Sequence, residues 1–116
     1  MVSVVRNKIT MTRGDSLILK LHLIYNNKPY VPVYETSEGP GDRIRFAMSK
    51  GYKGDLNYEL LLEKPIDIQN LNLVLEPKDT ANLLLGSYNY DIQITHDDGR
   101  VDTFISDTIQ LLGECG

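Results

Sequence analysis

Apolar and polar residues alternate along most of this chain, and the dominant period is two, the pattern of strands with one face buried. From Leu17 the odd positions read Leu17, Leu19, Leu21, Leu23 and Tyr25, with Lys20 and His22 between them. Ile44, Phe46 and Met48 alternate with Arg43, Arg45 and Ser49, and Tyr88, Tyr90, Ile92 and Ile94 alternate with Asn89, Asp91, Gln93 and Thr95. Shorter runs at residues 8–12, 58–63, 71–76, 101–105 and 108–112 bring the expected total to about eight strands. Leu19, Leu21, Leu23, Ile44, Phe46, Tyr90, Ile92 and Ile94 are the expected core.

Turn chemistry separates these runs. Arg13-Gly14-Asp15, Asn26-Asn27-Lys28-Pro29 and the longer Glu38-Gly39-Pro40-Gly41-Asp42 loop each break the alternation. Asp98-Gly99 predicts a tight two-residue hairpin loop with Asp97 opposite Arg100. That register puts Val101, Thr103 and Ile105 on the face of Ile92 and Ile94. The segment from Pro77 to Leu85 favours one or two helical turns, with Pro77 in the first turn and Gly86 as the stop. Many short strands with one helical turn before a Tyr-rich strand predict an all-β fold, a two-sheet antiparallel sandwich of immunoglobulin-like type. Tyr88 is either the corner tyrosine of such a domain, with Tyr90 in place of the second core cysteine, or one of two tyrosines lining the core.

At 116 residues the chain is expected to form one domain spanning 1–116. A net charge of -4 with scattered basic residues argues against a nucleic-acid partner. The longest mostly apolar stretch, from Leu17 to Tyr25, is too short to span a bilayer, so no membrane partner is expected. The first residues lack a basic leader and apolar core, so no signal peptide is expected and the protein is placed in the cytoplasm. The single cysteine, Cys115, precludes an internal disulfide and is expected to be incidental.

Candidate chemistry is sparse. The two histidines are His22, expected to be solvated on a polar strand face, and His96 in His96-Asp97-Asp98. The latter could mimic a metal or acid–base site, but turn propensity already explains Asp98. Its three side chains are expected to point into solvent, so their joint replacement should be tolerated. Arg13-Gly14-Asp15 is read as a turn and not as an adhesion motif, and Glu59 and Glu63 as solvated charges. No phosphate-binding loop or nucleophile elbow is present, and no catalytic residue, cofactor or metal is expected.

Between about Ile9 and Ile109 the chain resembles small phage and prophage proteins of Gram-positive bacteria that look like the N-terminal domain of siphophage upper baseplate proteins. The resemblance is carried by Ile9-Thr10-Met11-Thr12-Arg13-Gly14-Asp15-Ser16 and by Gly41-Asp42-Arg43-Ile44-Arg45-Phe46. It continues through Leu75-Glu76-Pro77-Lys78-Asp79-Thr80, Leu83, the run from Gly86-Ser87-Tyr88 to Ile94, and Asp98-Gly99-Arg100-Val101-Asp102-Thr103. It implies an immunoglobulin-like fold, a non-enzymatic role in tail or baseplate architecture, tail or baseplate proteins as partners, and a final location in the virion tail. Upper baseplate proteins continue into a helical stalk and a receptor-binding region; this chain reaches Gly116 with neither, which implies an accessory component or a separately encoded partner.

Two functions of different class follow. The first is assembly through strand edges or loops and not a pocket, with Val2, Val4 and Val5 either pairing with a neighbouring subunit, possible self-association included, or extending the first strand of the monomer. The second is a stand-alone module binding carbohydrate on the host envelope. Tryptophan is absent, and Tyr25, Tyr30 and Tyr34 are the candidate platform for it.

Overall fold

The longest alternating segments form the longest strands. A computed structural model describes residues 2–52 and 54–114, with backbone alone for Val2–Val5; Cys115 lies outside the described residues. The strands are β1 (Val2–Val5), β2 (Lys8–Thr12), β3 (Leu17–Lys20), β4 (Ile24–Tyr25), β5 (Lys28–Pro29), β6 (Arg43–Lys50), β7 (Glu59–Ile66), β8 (Asn72–Leu75), β9 (Gly86–Thr95) and β10 (Val101–Leu112). One helical turn, α1 (Pro77–Thr80), precedes β9, so the fold is all-β as expected. No helix among the described residues is long and apolar enough to cross a membrane.

Six strands form one sheet in the order β1-β2-β10-β9-β6-β7, while β3 pairs with β8 and β4 with β5. Ile9, Met11, Ile44, Phe46, Met48, Tyr88, Tyr90, Ile92, Ile94, Ile109 and Leu111 from the large sheet share one buried core with Leu17, Leu73 and Leu75 from β3 and β8. Of the eight expected core residues seven are buried; Leu19 is only partly so. Phe46 and Tyr90 meet with ring centroids 5.6 Å apart.

Four expectations need correction. The large sheet is not wholly antiparallel, because β2 runs parallel to β10 with Ile9 opposite Ile109. The run from Leu17 to Tyr25 is not one strand. Its side-chain alternation persists, with Leu21 and Leu23 buried, but the ladder ends where β8 begins, at Lys20 opposite Asn72. Leu71 adopts a positive φ of 54°, and its carbonyl accepts one further bond from Leu21 N at 2.8 Å before the partner turns away. The segments 101–105 and 108–112 are one strand, not two.

The fourth correction concerns the hairpin between β9 and β10. His96 N donates to Arg100 O at 2.7 Å and Gly99 N donates to His96 O at 2.9 Å, leaving a three-residue loop, Asp97-Asp98-Gly99. Gly99 supplies the positive φ, 90°, that closes such a loop. The extra loop residue shifts the register by one, so Val101 opposes Thr95 and stands 58% exposed instead of facing the core. Phe104 then bulges out of the ladder, and beyond it Ile105 opposes Ile92 as the hydrophobic pattern requires.

The Tyr88 hydroxyl donates to Leu84 O at 2.6 Å, across the bend that joins α1 to β9. Tyr90 donates to Asn7 O, and burial, with Asp107 nearby, pushes its hydroxyl pKa up to about 12. Each buried tyrosine therefore places a ring in the core and a hydroxyl on a backbone carbonyl.

Candidate functional site

The residues singled out for chemistry converge at one end of the large sheet. Asn26 and Asn27, with φ of 52° and 61°, reverse the chain between β4 and β5 and carry Tyr25 and Tyr30 against the β9–β10 hairpin. Tyr25 lies 5.0 Å from His96 and 6.4 Å from Phe104 by ring centroids, and Tyr30 lies 5.2 Å from Phe104, edge-on. The β10 bulge makes this cluster, because it swings Phe104 toward the two tyrosines. Tyr34 is half exposed and does not line the hollow formed by the others.

Asp42 organises the polar half. It is only 5% exposed and accepts from Tyr30 Oη at 2.5 Å, Val33 N at 3.1 Å and Asp97 N at 3.1 Å. One carboxylate thus ties the loop before β6 to the hairpin and to the aromatic cluster. Burial and the Asp42 charge both raise the Tyr30 pKa, which keeps the phenol protonated as the donor. Gly41 N donates to Asp97 Oδ1 at 2.7 Å. At Gly41 only glycine fits: φ is 75°, and a Cβ would lie 2.5 Å from Glu35 N.

His96-Asp97-Asp98 does not simply face solvent, contrary to expectation. The His96 side chain is 10% exposed, and its Nε2 lies 2.7 Å from Asp102 Oδ2. Asp97 holds the neighbouring loop through Gly41. Asp98 alone fits the turn reading; the Arg100 N–H, then its guanidinium, holds the Asp98 carboxyl below the usual carboxylate range. His22, by contrast, is exposed, as its place among the polar positions of the run from Leu17 suggested, although β3 ends before it.

Together these elements enclose an open hollow of about 620 Å³ whose walls include Tyr25, Tyr30, Val33, Lys28, His96 and Arg100. Rings, aliphatic groups and charged side chains all line it. The carboxylates that line it, Asp42, Asp97 and Asp98, are already engaged within the protein. No group of three or more histidine, cysteine, aspartate or glutamate residues suited to a metal ion occurs among the described residues. Sequence reasoning missed Asp42 and Phe104. Asp42 reads as a loop polar residue, and only its place after Gly41 hints at a fixed role.

Arg13-Gly14-Asp15 is built into the frame. The Arg13 guanidinium donates to Leu83 O at 3.0 Å and to both carboxylate oxygens of Glu114 at 3.1 Å, while Gly14 N donates to buried Thr80 Oγ1 at 2.8 Å. These bonds join the β2–β3 turn to α1 and to the segment after β10.

The candidate edge residues Val2, Val4 and Val5 belong to β1, which folds back antiparallel on β2 with Val2 opposite Met11 and Val5 opposite Lys8. The turn between them, Arg6-Asn7, has φ of 48° and 73°, the positive pair of a tight hairpin turn. β1 is therefore a strand of its own at the outer edge of the large sheet. The three valine side chains lie outside the described residues.

Comparison of the chain with protein-family models, curated proteins and solved structures finds no match.

Proposed function

We propose that the chain is a non-enzymatic assembly module of immunoglobulin-like type that joins a phage or prophage tail or baseplate through protein–protein contact at the β1 edge. The strand arrangement supports the immunoglobulin-like reading: β6, β9 and β10 lie side by side, β2 runs parallel to β10, and β3 pairs with β8 separately. The bond from Tyr88 to Leu84 O supports the same reading, since a corner tyrosine at the entry to β9 would bond back to the backbone in this way. The segments that carry the family resemblance fall at joints of the frame: the Arg13-Gly14-Asp15 turn, the Asp42 node, α1 and the start of β9.

The observation that carries the docking role is an asymmetry between the two edges of the large sheet. β7 has charges at Glu59, Glu63 and Lys64 and a proline at position 65, features that discourage a further strand. β1, Val2-Ser3-Val4-Val5, has neither charge nor proline and, among the described residues, pairs with β2 alone. An unguarded edge of β-branched residues suits an incoming strand, with backbone hydrogen bonds for affinity. The test is affinity purification of the full chain from a producing lysogen, with Val4→Lys and a variant lacking residues 1–5 alongside. Recovery with tail proteins, lost in both variants while they remain folded, supports docking; undiminished recovery removes the edge.

The hollow at Tyr25 and Tyr30 supports a second reading, a module for carbohydrate on the host envelope, because aromatic rings beside charged side chains are the elements of a saccharide site. Its outcome would be retention on a glycan array, abolished by Tyr25→Ala.

A further inference from the structure

We infer that the outward face of the large sheet carries a socket for a basic side chain, lysine or arginine, of the protein partner, with Asp91 as its anion. The inference rests on the assembly reading and adds a second contact, away from the β1 edge. The socket is a dip of about 210 Å³ across β10, β9, β6 and β7. It exists because the residues opposite one another there are small: Ala47 pairs with Asp91, and Ser106 pairs with Asp91 from the other side. Tyr58, Tyr52 and Leu60 wall it toward the loop that precedes β7, and Arg45 and Glu63 toward the other end.

Asp91 breaks two local rules at this point. Aspartate is disfavoured inside strands, and this one sits in the middle of β9, flanked by β6 and β10. Its Oδ1 is buried and has no hydrogen-bond partner among the described residues. A buried carboxylate oxygen without a donor is costly, and such violations concentrate where a ligand supplies what is missing.

The neighbouring donors are turned elsewhere. Arg45 donates to Gln93 Oε1 at 2.7 Å and lies 3.7 Å from Glu63. Asn89 Nδ2 and Ser49 Oγ both donate to Gly51 O, at 3.1 and 3.0 Å, which pins the loop that forms the rim. What the dip offers a visitor is one carboxylate in need of a donor, with Leu60, Tyr52 and Tyr58 beside it. An ammonium or guanidinium on an aliphatic stem matches these: charge to Asp91, stem to Leu60 and the tyrosine side chains. A desolvated basic anchor in a small pocket is a common form of interface hot spot.

The test is a nuclear magnetic resonance titration of the full chain with arginine amide and citrulline amide, both N-acetylated so that they differ only in side-chain charge. Arginine amide should shift Tyr52, Tyr58, Asp91 and Ser106, and should bind at least about tenfold more tightly than citrulline amide. Asp91→Asn, which keeps the side-chain shape, should abolish that preference. Asp91→Thr should raise the melting temperature by removing the unpaired oxygen. Equal binding of the two amides, an unchanged preference in Asp91→Asn, or stronger shifts from methyl glucoside at the same residues would overturn the socket. Capture of tail proteins by Asp91→Asn undiminished from wild type would also overturn it, while leaving the β1 edge and the assembly reading in place.

Discussion

Asp42 shows how much of this architecture rests on single polar side chains. Its carboxylate joins three segments through Tyr30, Val33 and the Asp97 amide. Asp42→Asn replaces an acceptor oxygen by an NH2 group that faces donors, so unfolding stability should fall by about 2 kcal/mol in urea titration. Asp79 gives a pH signature. Burial pushes its carboxyl up, but the Lys64 ammonium at 2.8 Å and the Glu76 N–H at 2.7 Å outweigh that and hold it below its ordinary value of 3.8. A carboxyl depressed on folding stabilises the fold above its unfolded pKa, and the contribution is lost as pH falls through the folded value. Asp79→Asn should therefore be less stable than wild type at neutral pH, and the gap should close below about pH 4 in a series of thermal melts. At this scale the sequence was informative where a residue type has one strong preference, as at Gly99 and Pro77. It was silent on Asp42 and Asp91, because a carboxylate in a loop or on a strand reads as solvated until its neighbours are known.

Periodicity located most strands, and its failures share one cause. The period of two reports which face a side chain takes, not whether a partner strand lies alongside. Leu21 and Leu23 keep the buried parity of Leu17, yet they lie beyond the β8 ladder and keep only single backbone bonds, Leu21 N to Leu71 O and Tyr30 N to Leu23 O. In the β9–β10 hairpin, two deviations from the simple register offset each other: a third loop residue and the Phe104 bulge. The sequence pattern beyond the bulge was right for that reason, and the register before it was wrong by one residue. The same element reverses the expectation for the hairpin tip. Replacing His96, Asp97 and Asp98 by alanine while keeping Gly99 removes the His96–Asp102 contact and the Asp97 bond to Gly41 N. The variant should lose about 2 kcal/mol in urea titration, where fully solvated side chains would cost almost nothing.

At the scale of the whole molecule the sheet order is the least legible feature, because it depends on contacts between distant segments. The parallel pairing of β2 with β10 joins residues about as far apart as the chain allows, and no local signal announces it. The all-β class and the single helical turn were readable, since both follow from local period and from Pro77. The site was partly readable. Tyr25 and Tyr30 were identified, and so was the His96 triplet, but their meeting across the bulge was not.

The sheet order also sets what the molecule offers a partner: a guarded edge at β7 and an unguarded one at β1. Backbone amide hydrogen exchange in β1 tests that difference directly, measured on the full chain alone and with the phage tail particles proposed as its partner. If β1 accepts a partner strand, amides on its open side exchange rapidly in the free protein and become protected with the particles, while β7 is unchanged. Unaltered exchange in β1, with protection appearing instead around Tyr25 and Tyr30 on addition of host-envelope glycans, would contradict the assembly role.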